Sequence, residues 1–247
     1  LCKVLELAWI DLLPKFAPPC CVIDGVPRQA WFAIVAYGKL GGIELNYGSD
    51  LDLVFLHNSA GEQQFTTGAR SIDNATFFNK LVQRMIHWLT TRTGAGDLYE
   101  VDTRLRPSGR AGLLVSSFEA FAEYQQHQAW TWEHQALARA RIVAGPASLT
   151  ERFQAIRCAV LQRERDPIAL RQEVCAMRER MRAELDTSTA KVFDLKQGLG
   201  GIADIEFMVQ CQILANAYCY PDLLVFTDNI RQIDGLERFA VLSIANA

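Results

Sequence analysis

The chain has 247 residues, 50% hydrophobic and 21% charged, an ordinary globular composition with enough apolar material for a core in one or two domains. A net charge of -3 argues against a general nucleic-acid binder, although a local phosphate site remains compatible with it. Seven cysteines with no CxxC pair, two of them adjacent at Cys20 and Cys21, exclude a disulfide framework or a zinc module and fit a reduced, cytoplasmic compartment.

No apolar run is long enough to span a bilayer and the start lacks a signal-peptide pattern, so a soluble protein with no membrane partner is expected. Residues 1–30 read as an amphipathic helix (Val4, Leu5, Ala8, Trp9, Leu12) broken at Pro14, then a loop through Pro18, Pro19, Cys20 and Cys21. The first residue is Leu1 with helical periodicity already under way, and the last residues are apolar. Both ends are therefore expected to be cut from something longer, with the C-terminal module truncated.

The apolar run Trp31–Ala36 predicts a strand, Gly38-Lys39-Leu40-Gly41-Gly42 a glycine-rich turn and short helix, and Leu51–Leu56 a second strand. Eleven residues separate Gly38 from Asp50, and Asp50 and Asp52 open that second strand. Side chains two apart on a strand point the same way, so the two carboxylates converge. Converging carboxylates beside a phosphate-cradling turn suit a magnesium–nucleotide site, because Mg²⁺ is held by one or two carboxylates plus substrate phosphates. Adjacent glycines cost on the order of 1 kcal/mol each in a helix, so Gly41 and Gly42 imply a close backbone approach. Phosphate at a helix N-terminus is the reading that fits it best. Ser49 either donates to a phosphate or caps a turn, and Lys39 either meets phosphate or faces solvent; the residues alone leave both open.

A polar connection is expected over 58–68, then a helix carrying Phe78, Leu81, Val82, Met85, Ile86 and Leu89, with a stop near Gly94-Ala95-Gly96. Alternation over Leu98–Leu105 predicts a strand whose charged face bears Asp102, Arg104 and Arg106. Pro107–Gly112 then turns the chain and Leu113–Val115 returns as a hairpin partner. If this strand lies beside that of Asp50 and Asp52, a third carboxylate and two guanidinium groups meet there, enough to hold two Mg²⁺ and offset charge on a departing phosphate. Otherwise Asp102 pairs with an arginine on a solvated face.

Beyond residue 115 the pattern is helical. Ser116 with Glu119 and Ser148 with Glu151 have capping-box spacing, and Asp166-Pro167 is an N-cap and first-turn pair. Arg171 to Arg182 read as a solvated helix face, and Trp130 and Trp132 as helix packing. The four histidines have no metal-ligand spacing and receive no role. The fold class is α+β: a small mixed-sheet module with flanking helices over 31–115, then a helical bundle-like module over 116–247.

Asp50, Asp52 and Asp102 with the preceding glycine turn resemble the nucleotidyltransferase superfamily that includes DNA polymerase beta. The wording is narrower over Gly38–Leu45, Leu98–Gly109, Ala129–Leu137 and Lys196–Phe207, where it resembles the bacterial glutamine synthetase adenylyltransferases. Within that bifunctional family, Tyr99-Glu100-Val101-Asp102 and Trp130–His134 look like the C-terminal, adenylylating half. The resemblance implies transfer of AMP from ATP to a tyrosine of glutamine synthetase with two Mg²⁺, PII protein and glutamine regulating the full-length enzyme. It implies catalytic and metal roles for Asp50, Asp52 and Asp102. Nucleotide contacts would fall to Gly38, Lys39, Gly41, Gly42, Ser49, Arg104 and Arg106. Phosphorolytic removal of AMP and a non-catalytic nucleotide-binding module are the alternatives, and uridylylation of a PII protein fits the wording less well.

Overall fold

A computed structural model describes residues 1–94, 96 and 98–242 of the chain. It divides into two compact units, Leu1–Gln128 with Ala140–Ile156, and Ala129–Arg139 with Arg157 onward. The 31–115 segment expected to be catalytic lies within the first unit. Among the described residues no helix is long and apolar enough to cross a membrane.

The first unit opens with α1 (Cys2–Phe16), which buries Ala8, Leu12 and Phe16 at four-residue steps. The helix runs through Pro14 instead of breaking there. A proline this close to the C-terminal end leaves the helix only one turn to run, and Ala17 N–H still reaches Leu13 O at 2.8 Å. The loop expected at Cys20 and Cys21 is instead β1 (Pro19–Ile23), paired antiparallel with β2 (Val26–Gln29). Asp24 and Gly25 both take positive φ in the two-residue turn between them, the backbone that an Asp-Gly hairpin requires.

The main sheet is built from β3 (Phe32–Ala36) and, after the single turn α2 (Gly38–Gly41), β4 (Leu51–His57), paired antiparallel with Ala36 opposite Leu53. The polar connection expected over 58–68 contains a strand, β5 (Glu62–Thr66), which adds to β1 to give the order β2-β1-β5. Its exposed, polar face hides it from a hydrophobic pattern. Helix α3 (Asn74–Thr90) is capped by Asp73, whose carboxylate accepts from Thr76 N–H at 2.7 Å. It ends at Thr90, short of the glycine stop, of which Ala95 lies outside the described residues.

The long strand expected over Leu98–Leu105 shrinks to β6 (Val101–Asp102), and Arg104 and Arg106 lie in the turn that follows. Nor does the next strand, β7 (Val115–Ser117), form a hairpin with it: both pair with β4 in parallel. Helix α4 (Phe118–His127) follows, capped by Ser117 instead of Ser116. Then, after α5 (Thr131–Ala138) of the second unit, β8 (Arg141–Ala144) pairs antiparallel with β3, giving the order β6-β4-β3-β8 with β7 also on β4. The first unit's core lies between this sheet and helices α1 and α3, where the Phe78 ring stacks on Phe32 at 5.8 Å and on His57 at 4.9 Å.

Burial in that stack pushes the His57 imidazole down to about 4, against a smaller opposing pull from Glu119, and its Nδ1 accepts from Ser59 N–H at 3.2 Å. The folded pKa lies below the unfolded value of 6.5. The neutral ring's contribution is therefore complete above pH 6.5 and is lost as pH falls toward 4, by on the order of 3 kcal/mol in total. Urea midpoints at pH 7.5 and 4.5 should accordingly diverge more for the wild type than for His57→Asn, which keeps an acceptor but does not titrate.

The second unit is helical, and the division between units falls within α6 (Ala147–Leu161), which begins at Ala147, before Ser148. Helix α7 (Pro167–Leu185) has the expected cap, Asp166 accepting from Ile168 N–H at 2.9 Å, and is followed by α8 (Ile202–Asn216) and α9 (Asn229–Arg238). The fully buried Arg157 donates to Leu137 O, Ala138 O and Leu224 O at 3.0, 2.6 and 2.7 Å, tying the last two carbonyls of α5 to that of Leu224. Two expectations fail in this unit, the first only in part, since Arg171 and Arg180 are exposed as expected. Arg178 is not on a solvated face but 5% exposed, bonded to Asp204 at 2.6 Å and to Gln197 O at 2.8 Å, while Arg182 reaches Asp204 at 2.7 Å. Trp130 and Trp132 are 67% and 37% exposed instead of packed.

Candidate functional site

The carboxylates come together through strand register. Asp52 lies on β4 directly beside Asp102 on β6, in a parallel pair begun by Leu51 opposite Val101 and tied by Leu51 N–H to Glu100 O at 2.8 Å. Laterally paired residues share a face, and Asp50 precedes Asp52 by two positions on the same alternation, just ahead of the first strand residue. Each of the three offers an oxygen within 4.8 Å of the other two. At that spacing each pair repels by roughly 1 to 3 kcal/mol between the limits of water and a protein surface. Oxygen donors at this density suit a hard cation such as Mg²⁺.

Arg104 offsets part of the repulsion. Its backbone N–H donates to Asp102 Oδ1 at 2.8 Å, its Nε to Oδ2 at 2.6 Å, and its Nη2 pairs with the same oxygen. Burial would raise the Asp102 carboxyl, but these bonds and the charges of Arg104 and Arg110 outweigh it and hold the group below the usual carboxylate range. Arg104 is raised in turn, chiefly by its bond to Asp102 and also by the charges of Asp102, Asp52 and Asp50. Arg106 is engaged elsewhere: it donates to Thr103 O and Oγ1, each at 2.8 Å, and to the carbonyls of Gly112 and Arg110, holding its own turn together. Arg110 was missed in the sequence, where it stands as one more cation in a glycine-rich turn; only folding shows that its charge reaches Asp102.

Gly38 meets the triad through its backbone. It has φ +52°, and a Cβ there would lie 2.2 Å from Asp52 Oδ2. A close approach lies at Gly38, to the Asp52 carboxylate; the one expected at Gly41 and Gly42 was to phosphate. Gly41 and Gly42 close the turn, donating to Tyr37 O and Gly38 O, each at 2.9 Å. Lys39 Nζ reaches Ser49 Oγ at 3.4 Å, and that buried hydroxyl also accepts from Asn46 N–H at 3.3 Å. Gly38, Arg104 and the three aspartates therefore meet in one cluster, Lys39 and Ser49 bond to each other on the segment between Gly38 and Asp50, and the bonds of Arg106 stay within its own turn.

A family model described as glutamate-ammonia ligase adenylyltransferase matches residues 1–156. The chain belongs to that family. Among curated relatives of this adenylyltransferase family, a bifunctional glutamine synthetase adenylyltransferase/adenylyl-removing enzyme of Thioalkalivibrio sulfidiphilus is 57% identical over 97% of the chain and 25% of its own length. Proteins of the same name from Nitrosococcus oceani and Pseudomonas aeruginosa are 53% and 52% identical, each over 98% of the chain and 25% and 26% of their lengths. The chain thus spans about a quarter of the length of the curated adenylyltransferase relatives that it matches.

Proposed function

We propose that this chain carries an adenylyltransferase site that moves AMP from ATP to a tyrosine hydroxyl of glutamine synthetase in the cytoplasm, releasing pyrophosphate and lowering nitrogen assimilation. The observation supporting this most is the meeting of Asp50, Asp52 and Asp102 beside the Gly38 turn, in a chain of this family.

The all-oxygen donor set fits Mg²⁺: Asp50 and Asp52 would hold two ions, and Asp102 would complete the one on the acceptor side. When bound, such ions polarise the phosphoryl oxygens and make a coordinated hydroxyl more acidic. The remaining steps belong to the chain. Asp102, kept ionised by Arg104, accepts the proton from a phenol whose unperturbed pKa is about 10. The phenolic oxygen forms its bond to the α-phosphorus while the bond to the β-phosphate oxygen breaks. Lys39, Ser49 and the backbone of Gly38 cradle the phosphates, Gly41 and Gly42 close the turn that presents them, and Arg104 offsets charge on the pyrophosphate as it departs, with Arg106 holding the turn that carries Arg104. Glutamine and a PII protein act on the longer enzyme of which this site is part.

The relatives' name also contains an adenylyl-removing activity, which in chemical terms is attack of inorganic phosphate on adenylyl-tyrosine to give ADP and the free hydroxyl. Two incubations separate the directions: labelled ATP with unmodified glutamine synthetase, and phosphate with the adenylylated form. The adenylylating reading expects label on tyrosine in the first at a rate at least about tenfold above ADP release in the second, a difference of about 1.4 kcal/mol in barrier. The opposite ratio would assign the site to removal.

A further inference from the structure

The turn that carries Gly38 and Lys39 is only four residues long, too short to be stable by itself. Two of its carbonyls are bonded from a hundred residues away: Arg141 Nε donates to Gly41 O and Nη2 to Leu40 O, each at 3.0 Å, the latter also accepting from Ile43 N–H at 3.3 Å. Sheet register explains how. Arg141 opens β8 opposite Ala36, the last residue of β3, so its side chain starts beside the point where the chain leaves the sheet to form α2.

The guanidinium is partly buried, and burial lowers its pKa. Desolvating a charge costs free energy, which the bonds to two main-chain carbonyls offset, and those bonds fix the geometry of the turn. That geometry includes Gly38 packed on the Asp52 carboxylate and Lys39 beside Ser49. The next residue, Ile43, is held at φ +59°, where a β-branched side chain is strained, so the turn is over-determined by its surroundings.

We infer that Arg141 is a positioning residue for the nucleotide, clamping the Gly38–Gly42 turn in the shape that receives the triphosphate. The inference deepens the adenylyltransferase reading and rests on it. The bonds of Arg141 go to the main chain of Leu40 and Gly41, and it acts through them. A lysine at this position carries the same charge on a single nitrogen and lacks the rigid fork that meets both carbonyls at once.

Binding of Mg·ATP to the whole 247-residue chain, followed by titration calorimetry beside the transfer assay, tests this with Arg141→Lys and Arg141→Gln. Both variants are expected to raise Kd and KM for Mg·ATP by about tenfold or more, with kcat at saturating nucleotide changed by less than about threefold. A role confined to folding would lower the active fraction instead, reducing kcat at unchanged KM, and that result overturns the inference. So does wild-type Kd in a folded Arg141→Lys, or an Arg141→Lys that is unfolded by circular dichroism, since the arginine would then serve the fold. If the wild-type chain binds Mg·ATP but transfers no AMP, the adenylyltransferase reading fails while the Kd comparison still decides the role of Arg141. A wild-type chain that binds no Mg·ATP overturns both.

Discussion

Asp52→Asn is expected to lower AMP transfer by at least about 10³-fold, the scale seen when one charge-stabilising group is removed from a preorganised site. Asp52 is the central member of the triad: β6 sets Asp102 beside it, Asp50 precedes it by two, and Gly38 packs against its carboxylate. Asparagine keeps the shape, so the backbone bond from Tyr37 N–H to Asp52 O at 2.9 Å and the strand pairing should persist. What is lost is the charge. Removing one of three mutually repelling carboxylates should leave the unfolding temperature unchanged or slightly raised. Loss of activity together with loss of fold would make Asp52 a structural residue and withdraw it from the site.

Gly38→Ala should have an effect of similar size by a different route. The methyl carbon would lie 2.2 Å from Asp52 Oδ2, inside any contact distance, at a backbone φ of +52° that alanine disfavours. Either the carboxylate swings away from Asp102 or the Gly38–Gly42 turn rearranges, and both dismantle the site. We expect transfer to fall by at least about 10²-fold. The accompanying loss of stability should be about 1 to 3 kcal/mol, read from urea unfolding. Gly25→Ala, which also has positive φ but nothing within 4 Å of its Cβ position, is the control: it carries the strain without the collision and should leave transfer unchanged.

The parts of this site that could be read in the sequence are those in which a local pattern and a chemical group coincide. Phe32–Ala36 of the apolar run that begins at Trp31 and the run from Leu51 to Leu56 form strands with largely buried side chains, and the two-residue period placed Asp50 and Asp52 together without any knowledge of the fold. Asp102 could be named, but its alternating neighbours implied a strand far longer than the two residues that form. On its C-terminal side the strand stops where Arg104 turns back to bind Asp102.

Strands without an apolar face were harder. Glu62–Thr66 adds a largely exposed edge to a small sheet, and the Pro19–Gln29 hairpin was hidden by its prolines although Asp24-Gly25 is a strong two-residue turn signal. Arginines were read worst. Arg141 and Arg157 carried no signal at all and Arg178 was expected on a solvated face, yet each is spent on carbonyls or a carboxylate brought near only by long-range packing, over sequence separations of 100, 67 and 26 residues. No periodicity encodes such partners, because they depend on which chain ends meet and not on which face an element presents.

The central claim is that Asp50, Asp52 and Asp102 act together as a metal–nucleotide site, and Mn²⁺ binding tests it most directly. Electron paramagnetic resonance of the chain titrated with Mn²⁺ and a non-hydrolysable ATP analogue should show bound metal in the wild type. In each of Asp50→Asn, Asp52→Asn and Asp102→Asn, metal affinity should be at least about tenfold weaker. Undiminished Mn²⁺ binding in all three folded variants would contradict it.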